Sequence, residues 1–94
     1  MLTLNSKSAL ITGSSRGIGR GIALKLAECG VRRIAVHYHK NRSAAEQTAA
    51  AVRDRGAEVT LFQADVMRPD DIARMFAGVK EAFGSLDILV SNAR

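Results

Sequence analysis

The stretch Thr12-Gly13-Ser14-Ser15-Arg16-Gly17-Ile18-Gly19 constrains this 94-residue chain more than any other. An apolar run, Ala9-Leu10-Ile11, precedes it. A run with apolar residues at helical spacing (Ile18, Ile22, Ala23, Leu26, Ala27) follows. Strand, glycine-rich turn and helix together are what a dinucleotide phosphate site requires. The glycines let the backbone turn tightly and approach a pyrophosphate. The unpaired N–H groups of the first helical turn then face the negative charge. The spacing is G-x-x-x-G-x-G. It differs from the G-x-G-x-x-G fingerprint, and it is not a P-loop, because Ile18 and Arg20 stand where that motif needs other residues.

The rest of the chain alternates strand and helix. Residues 8–12 read as a short buried strand. Residues 17–29 read as a helix with Ile18, Ile22 and Leu26 on one face and Gly30 at its exit. Ile34-Ala35-Val36 begins a second strand that ends in His37-Tyr38-His39-Lys40. Ser43-Ala44-Ala45-Glu46 has the capping-box pattern and opens an alanine-rich helix that runs to Arg55, with Gly56 as its stop. Val59–Phe62 gives a third strand. Pro69 suits a first helical position, and Asp70 and Asp71 complement the helix dipole. Ile72, Met75, Phe76, Val79 and Phe83 form that helix's core face, Gly84 closes it, and Leu86–Val90 is a fourth strand.

The order β-α-β-α-β-α-β implies one domain over residues 1–94: a partial Rossmann-type α/β fold with a doubly wound parallel sheet. Reversal at the first strand gives the order 3-2-1-4. The first two helices then cover one face and the third the other. The glycine-rich turn falls at the C-terminal edge of the sheet, beside the switch point.

Composition narrows the function classes. Apolar residues at 47% and charged residues at 24% fit a globular domain. No run approaches the ~18 apolar residues of a membrane span, and the N-terminus lacks the apolar core of a secretory signal. Cys29 is the only cysteine, which excludes an internal disulfide, and the expectation is a packed, unreactive thiol. These features suggest a cytoplasmic protein. The net charge of +5 is uneven: residues 1–56 carry 10 Lys/Arg against 3 Asp/Glu, and residues 57–94 carry 4 against 6. The basic half holds the glycine-rich turn. Few aromatics and no helix packed with Lys/Arg rank nucleic acid last among partners.

A dinucleotide fold often places an acid ~20 residues after the turn, on the ribose hydroxyls. None stands there. The second strand ends in His37, Tyr38, His39 and Lys40, with Arg42 nearby and Arg16 inside the turn. Cationic and hydrogen-bonding groups at that place favour a 2′-phosphate, hence NADP over NAD. Asp65, followed by Val66, ends the third strand, where it can accept from an adenine amino group or cap the next segment. Asn92 ends the fourth strand, where its amide can tie strand ends together or touch the cofactor ribose. His37 and His39 lack the Cys or carboxylate partners of a metal site, so no metal is assigned.

Thr12-Gly13-x-x-x-Gly17-x-Gly19, Asp65-Val66 and Leu86-Asp87-Ile88-Leu89-Val90-Ser91-Asn92-Ala93 together resemble the short-chain dehydrogenase/reductase family. Ser14–Arg20 is similar to its NADP-dependent members, such as 3-oxoacyl-carrier-protein reductases. The resemblance covers essentially the whole chain. It implies that Gly13, Gly17, Ile18 and Gly19 hold the pyrophosphate, and that Ser15, Arg16 and His39 hold the 2′-phosphate end. It further implies that Asp65 and Val66 flank adenine and that Asn92 and Ala93 line the ribose side. The family's Asn-Asn-Ala-Gly appears here as Ser91-Asn92-Ala93-Arg94. Family members are two to three times longer and carry a catalytic serine and a Tyr-x-x-x-Lys pair downstream. The only tyrosine here is Tyr38, and residue 42 is Arg, so no catalytic residue is assigned. The expectation is a truncated NADP-binding portion of a reductase, with an exposed fourth-strand edge available for self-association or a partner chain. A stand-alone nucleotide-binding module and a non-functional remnant are the alternatives.

Overall fold

The computed structural model describes residues 6–92. Seven elements alternate: β1 (Ser8–Ile11), α1 (Gly17–Glu28), β2 (Arg33–Tyr38), α2 (Arg42–Asp54), β3 (Glu58–Gln63), α3 (Pro69–Phe83) and β4 (Ile88–Val90). The four strands are parallel, in the order β3-β2-β1-β4. Register runs Ile11 beside Val36 on one side and beside Val90 on the other. The sheet reverses at β1, as the alternation predicts.

Side chains alternate across the sheet and make two cores. Ala9, Ile11, Ile34 and Val36 point to the face covered by α1 and α2, against Ala23, Ala27, Ala45 and Val52. Leu10 and Ala35 point the other way, against Met75, Val79 and Phe83 of α3. β1 is buried throughout and β2 nearly so, which explains why both read as continuous apolar runs.

Three local expectations are corrected. The buried stripe of α1 is Gly19-Ala23-Ala27, while Ile18 is 72% exposed. The small residues let α1 lie close on the sheet, and Ile22 and Leu26 flank them, partly buried. Ile18, one position before the stripe, is turned by about 100° away from it. Ser43 does not cap α2. The N-cap is Asn41, two residues earlier, and its Oδ1 accepts from the Ala44 N–H at 2.9 Å. Cys29 is exposed rather than packed, because it stands at the C-cap of α1, past the last buried turn.

α3 starts as its sequence dictates, with Pro69 in the first turn and Asp70 and Asp71 at the positive end of the dipole. Gly78 is a packing residue: a Cβ there would stand 2.9 Å from Cε1 of Phe62. No helix among the described residues is long and apolar enough to cross a membrane.

Candidate functional site

The β1–α1 turn lies at the C-terminal ends of the strands. Gly13 (φ 66°) and Gly17 (φ 64°) take left-handed backbone conformations that other residues rarely adopt. Gly19 is required for a different reason. A Cβ there would run into the Gly13 carbonyl and come within 2.8 Å of Nδ2 of Asn92. The turn therefore folds back on the first turn of α1 with no space for a side chain. Residues 17–19 open the helix and have no intrahelical acceptor for their N–H groups. No acidic residue lies in that first turn. The result is a positive helix end with donors available to an anion.

Side chains from three other elements hold the turn. Oγ1 of Thr48, fully buried on α2, donates to the Ser15 carbonyl at 2.7 Å. Asn92 donates its N–H to Oγ1 of Thr12 at 2.8 Å, and its Nδ2 reaches the Gly13 carbonyl at 3.4 Å. Asn92 thus ties the end of β4 to the end of β1, the first of its two expected roles. His37, on β2, accepts the Gly13 N–H on Nδ1 at 2.8 Å, and its Nε2 lies 2.9 Å from the Ala64 carbonyl.

A cleft of about 520 Å³ opens beside the turn. The sequence-assigned residues Gly13, Ser15, Arg16, His39, Asp65 and Val66 line it, and His37, Tyr38, Lys40, Asn41 and Met67 complete its wall. Gly17 and Gly19 shape the turn behind it. Ile18 and Asn92 do not line it. Ala93 lies outside the described residues. Among the described residues no group of three or more His, Cys, Asp or Glu side chains is placed to hold a metal ion.

The polar groups expected around a ribose phosphate divide into two sets. Arg16 and Lys40 are exposed, with no side-chain partner among the described residues. Arg42 is committed elsewhere: it donates to the Tyr38 hydroxyl at 2.8 Å and pairs with Glu46 at 3.6 Å. His37 is 2% exposed, and burial, the largest cause, holds its pKa below the usual imidazole range. It lines the cleft as a neutral hydrogen-bonding group and not as a cation. Asp65 caps: Oδ1 accepts the Met67 N–H at 2.9 Å, and Oδ2 lies 3.7 Å from Nε2 of His39. The Asp65 N–H in turn donates to Asp71 at 2.9 Å, which is the main cause of the low pKa of Asp71.

Thr48 and the clamping role of His37 are what sequence reasoning missed. A faint signal existed for Thr48, which shares the buried stripe of α2 with Ala45, Ala49 and Val52. A second groove, about 330 Å³, lies between α3 and β4 and reaches Thr12, Val66, Leu89 and Ser91.

Comparison with known proteins agrees with this geometry. The family model for short chain dehydrogenases matches residues 7–94. The 3-oxoacyl-(acyl-carrier-protein) reductase FabG of Staphylococcus epidermidis is 46% identical over 88 residues, which is 94% of this chain and 36% of that protein. A short-chain type dehydrogenase/reductase of Picea abies is 40% identical over 96 residues, covering 96% of this chain and 35% of that protein. The crystal structure of a dehydrogenase from Burkholderia cenocepacia with bound NADP superposes with a TM-score of 0.91 at 40% identity, covering 95% of this chain and 34% of that one. The chain thus spans about a third of the length of the relatives it matches.

Proposed function

Since the chain belongs to the short-chain dehydrogenase family, we propose that its cleft binds NADP(H) and that it forms the cofactor-binding portion of a cytoplasmic oxidoreductase. The parent reaction is hydride transfer between NADPH and a carbonyl/alcohol pair, and the nicotinamide supplies the hydride. The residues of this chain bind and orient. The backbone of Gly13–Gly19 and the first turn of α1 take the pyrophosphate, Arg16 and Lys40 take the 2′-phosphate, and Asp65 and Val66 flank the adenine. We assign no catalytic residue to these 94 residues. Tyr38, the only tyrosine, is buried and bonded to Arg42.

One observation carries the choice of NADP(H) over NAD(H). The end of β2 has no acid, and the cleft rim carries two cations, Arg16 and Lys40, that have no side-chain partner among the described residues. A ribose hydroxyl pair seeks a carboxylate, whereas a phosphate seeks such cations. Titration of the purified chain with NADPH and NADH tests this. The expected result is at least about tenfold tighter binding of NADPH, the worth of one charge-assisted contact. Equal or tighter NADH binding overturns the reading.

A second reading shares the same cleft: a nucleotide-binding module that associates through β4. Leu89, 52% exposed on that strand, favours it.

A further inference from the structure

The phosphate turn is held by an imidazole whose protonation state is fixed by its partners. The Ala64 carbonyl can only accept, so Nε2 of His37 carries the proton and Nδ1 is bare to accept from Gly13. Two further bonds lock the same residues together. Oγ of Ser14 accepts the His37 N–H at 3.0 Å, and the Ser14 N–H donates to the His37 carbonyl at 3.2 Å. Three segments meet at one ring: the glycine-rich turn, β2 and the end of β3.

We propose that His37 is a positioning residue for the cofactor phosphates: its bare Nδ1 fixes the Gly13 N–H, and uptake of a proton on that nitrogen releases the turn and weakens cofactor binding. The inference rests on the NADP(H) reading above. A proton on Nδ1 sets two donors against each other across 2.8 Å. It also places a cation in a site that is 2% exposed.

The surroundings do not compensate that cation. From β2 come Tyr38, held by Arg42, and the exposed His39. The turn contributes Arg16, and the loop after β2 contributes Lys40. From α2 come Arg42, paired with Glu46, and neutral Thr48. Among the described residues the one carboxylate lining the same cleft is Asp65, at the end of β3, already engaged by the Met67 N–H and near His39. Burial and the His39 charge both keep His37 neutral, against the opposing pull of the Ala64 carbonyl. Bound phosphates attract a proton, but they act through an open, solvated cleft. The donor–donor conflict is at contact distance, so it dominates.

The test measures NADPH and NADH affinity from pH 8.5 to pH 5.5 for the parent chain and for His37→Asn, His37→Ala and His39→Asn. Asn places an acceptor oxygen where Nδ1 stands but does not titrate. NADH lacks the 2′-phosphate, which itself titrates, so the His37 contribution is common to both cofactors. The parent chain is expected to lose up to about tenfold in affinity per pH unit once His37 takes up its proton, the limit for one linked proton. His37→Ala weakens binding about tenfold at pH 8.5. His37→Asn regains most of that loss and gives a flat profile for NADH, while His39→Asn still loses NADH affinity on acidification, with the fall starting at higher pH because the His39 charge no longer opposes the proton on His37. A His37→Asn profile as steep as the parent's overturns the proposal. If neither cofactor binds even at pH 8.5, the cofactor reading fails. Exchange of the Gly13 amide, followed by NMR in the ligand-free chain, then decides about the turn. Protection relative to intrinsic exchange must fall on acidification in the parent and persist in His37→Asn, and identical pH dependence in both sinks the clamp.

Discussion

Thr48 and Ser15 are 33 residues apart, and the Thr48 hydroxyl donates to the Ser15 carbonyl at 2.7 Å from a fully buried position. That bond is how α2, a helix with no ligand-facing chemistry of its own, takes part in the site. It fixes the carbonyl in the middle of the glycine-rich turn.

Thr48→Val keeps the shape of the side chain and removes the donor. The Ser15 carbonyl loses its buried partner, so a loss of about 1–3 kcal/mol is expected. Thr48→Ser retains the hydroxyl and should recover most of it. Urea unfolding of the three proteins checks this, and equal midpoints for Val and Ser would show that the bond contributes nothing.

Two glycines of α1 should respond in opposite ways. Gly19→Ala drives a methyl into the Gly13 carbonyl and Asn92, so about 1–3 kcal/mol of stability is lost together with cofactor binding. Nothing lies within 4 Å of a Cβ at Gly21, which is exposed inside the helix. Gly21→Ala should therefore stabilise by about 0.5–1 kcal/mol through a less flexible unfolded chain. Thermal melts separate the pair.

The alternation of helical and extended periods made the fold legible in the sequence. β1 and β2 are short apolar runs because both of their faces are covered, and α3 shows its stripe because one face is not. The glycines were legible too, since only a tight turn needs Gly13, Gly17 and Gly19 together. The clamp was hidden because its partners are backbone atoms of a distant segment. Nothing local marks His37 as the acceptor for Gly13, and a histidine at a strand end beside His39 and Lys40 reads equally well as a ligand-facing group. Ile18 misled because its spacing fits Ile22 and Leu26, while the helix turns its smallest residues, Gly19, Ala23 and Ala27, to the sheet.

Arg16 should discriminate between cofactors. It is exposed at the cleft rim, at the N-cap position of α1, without a capping role for its side chain. Arg16→Ala is expected to weaken NADPH binding by about 1.5–3 kcal/mol, roughly 10- to 150-fold, and to leave NADH binding nearly unchanged. The lost component should also be the salt-sensitive one. Equal losses for the two cofactors would remove Arg16 from the 2′-phosphate.

Stability should fall on mild acidification, in a window set by His37. Its pKa in the folded chain lies below the ordinary 6.5, so below that pH the unfolded chain binds more protons. Stability is full above pH 6.5 and declines as the pH drops from there toward the folded-state pKa. The thermal midpoint should thus drop between pH 7 and pH 5 in the parent and change less in His37→Asn. Asp71 acts lower down. Its pKa is held below the ordinary 3.8 mainly by the Asp65 N–H, so its contribution persists above that value and is lost as the pH falls through the folded-state pKa. Asp71→Asn should flatten only that more acidic part of the curve.

The open side of β4 should make the 94-residue chain self-associate. β4 pairs with β1 alone among the described residues, so its other edge presents unpaired N–H and C=O groups. Leu89, 52% exposed, and Met67, 81% exposed, both border the groove between α3 and β4. Edge pairing with a second copy satisfies the backbone and covers that apolar surface together. Sedimentation at rising concentration is expected to show dimers or larger species. Leu89→Lys should shift the association to about tenfold higher concentration, because it puts a charge beside the edge and removes one exposed apolar side chain. Both proteins must keep the same far-UV spectrum for the comparison to hold. A chain that stays monomeric at high concentration, or a Leu89→Lys variant that associates as readily as the parent, would falsify the edge as the contact.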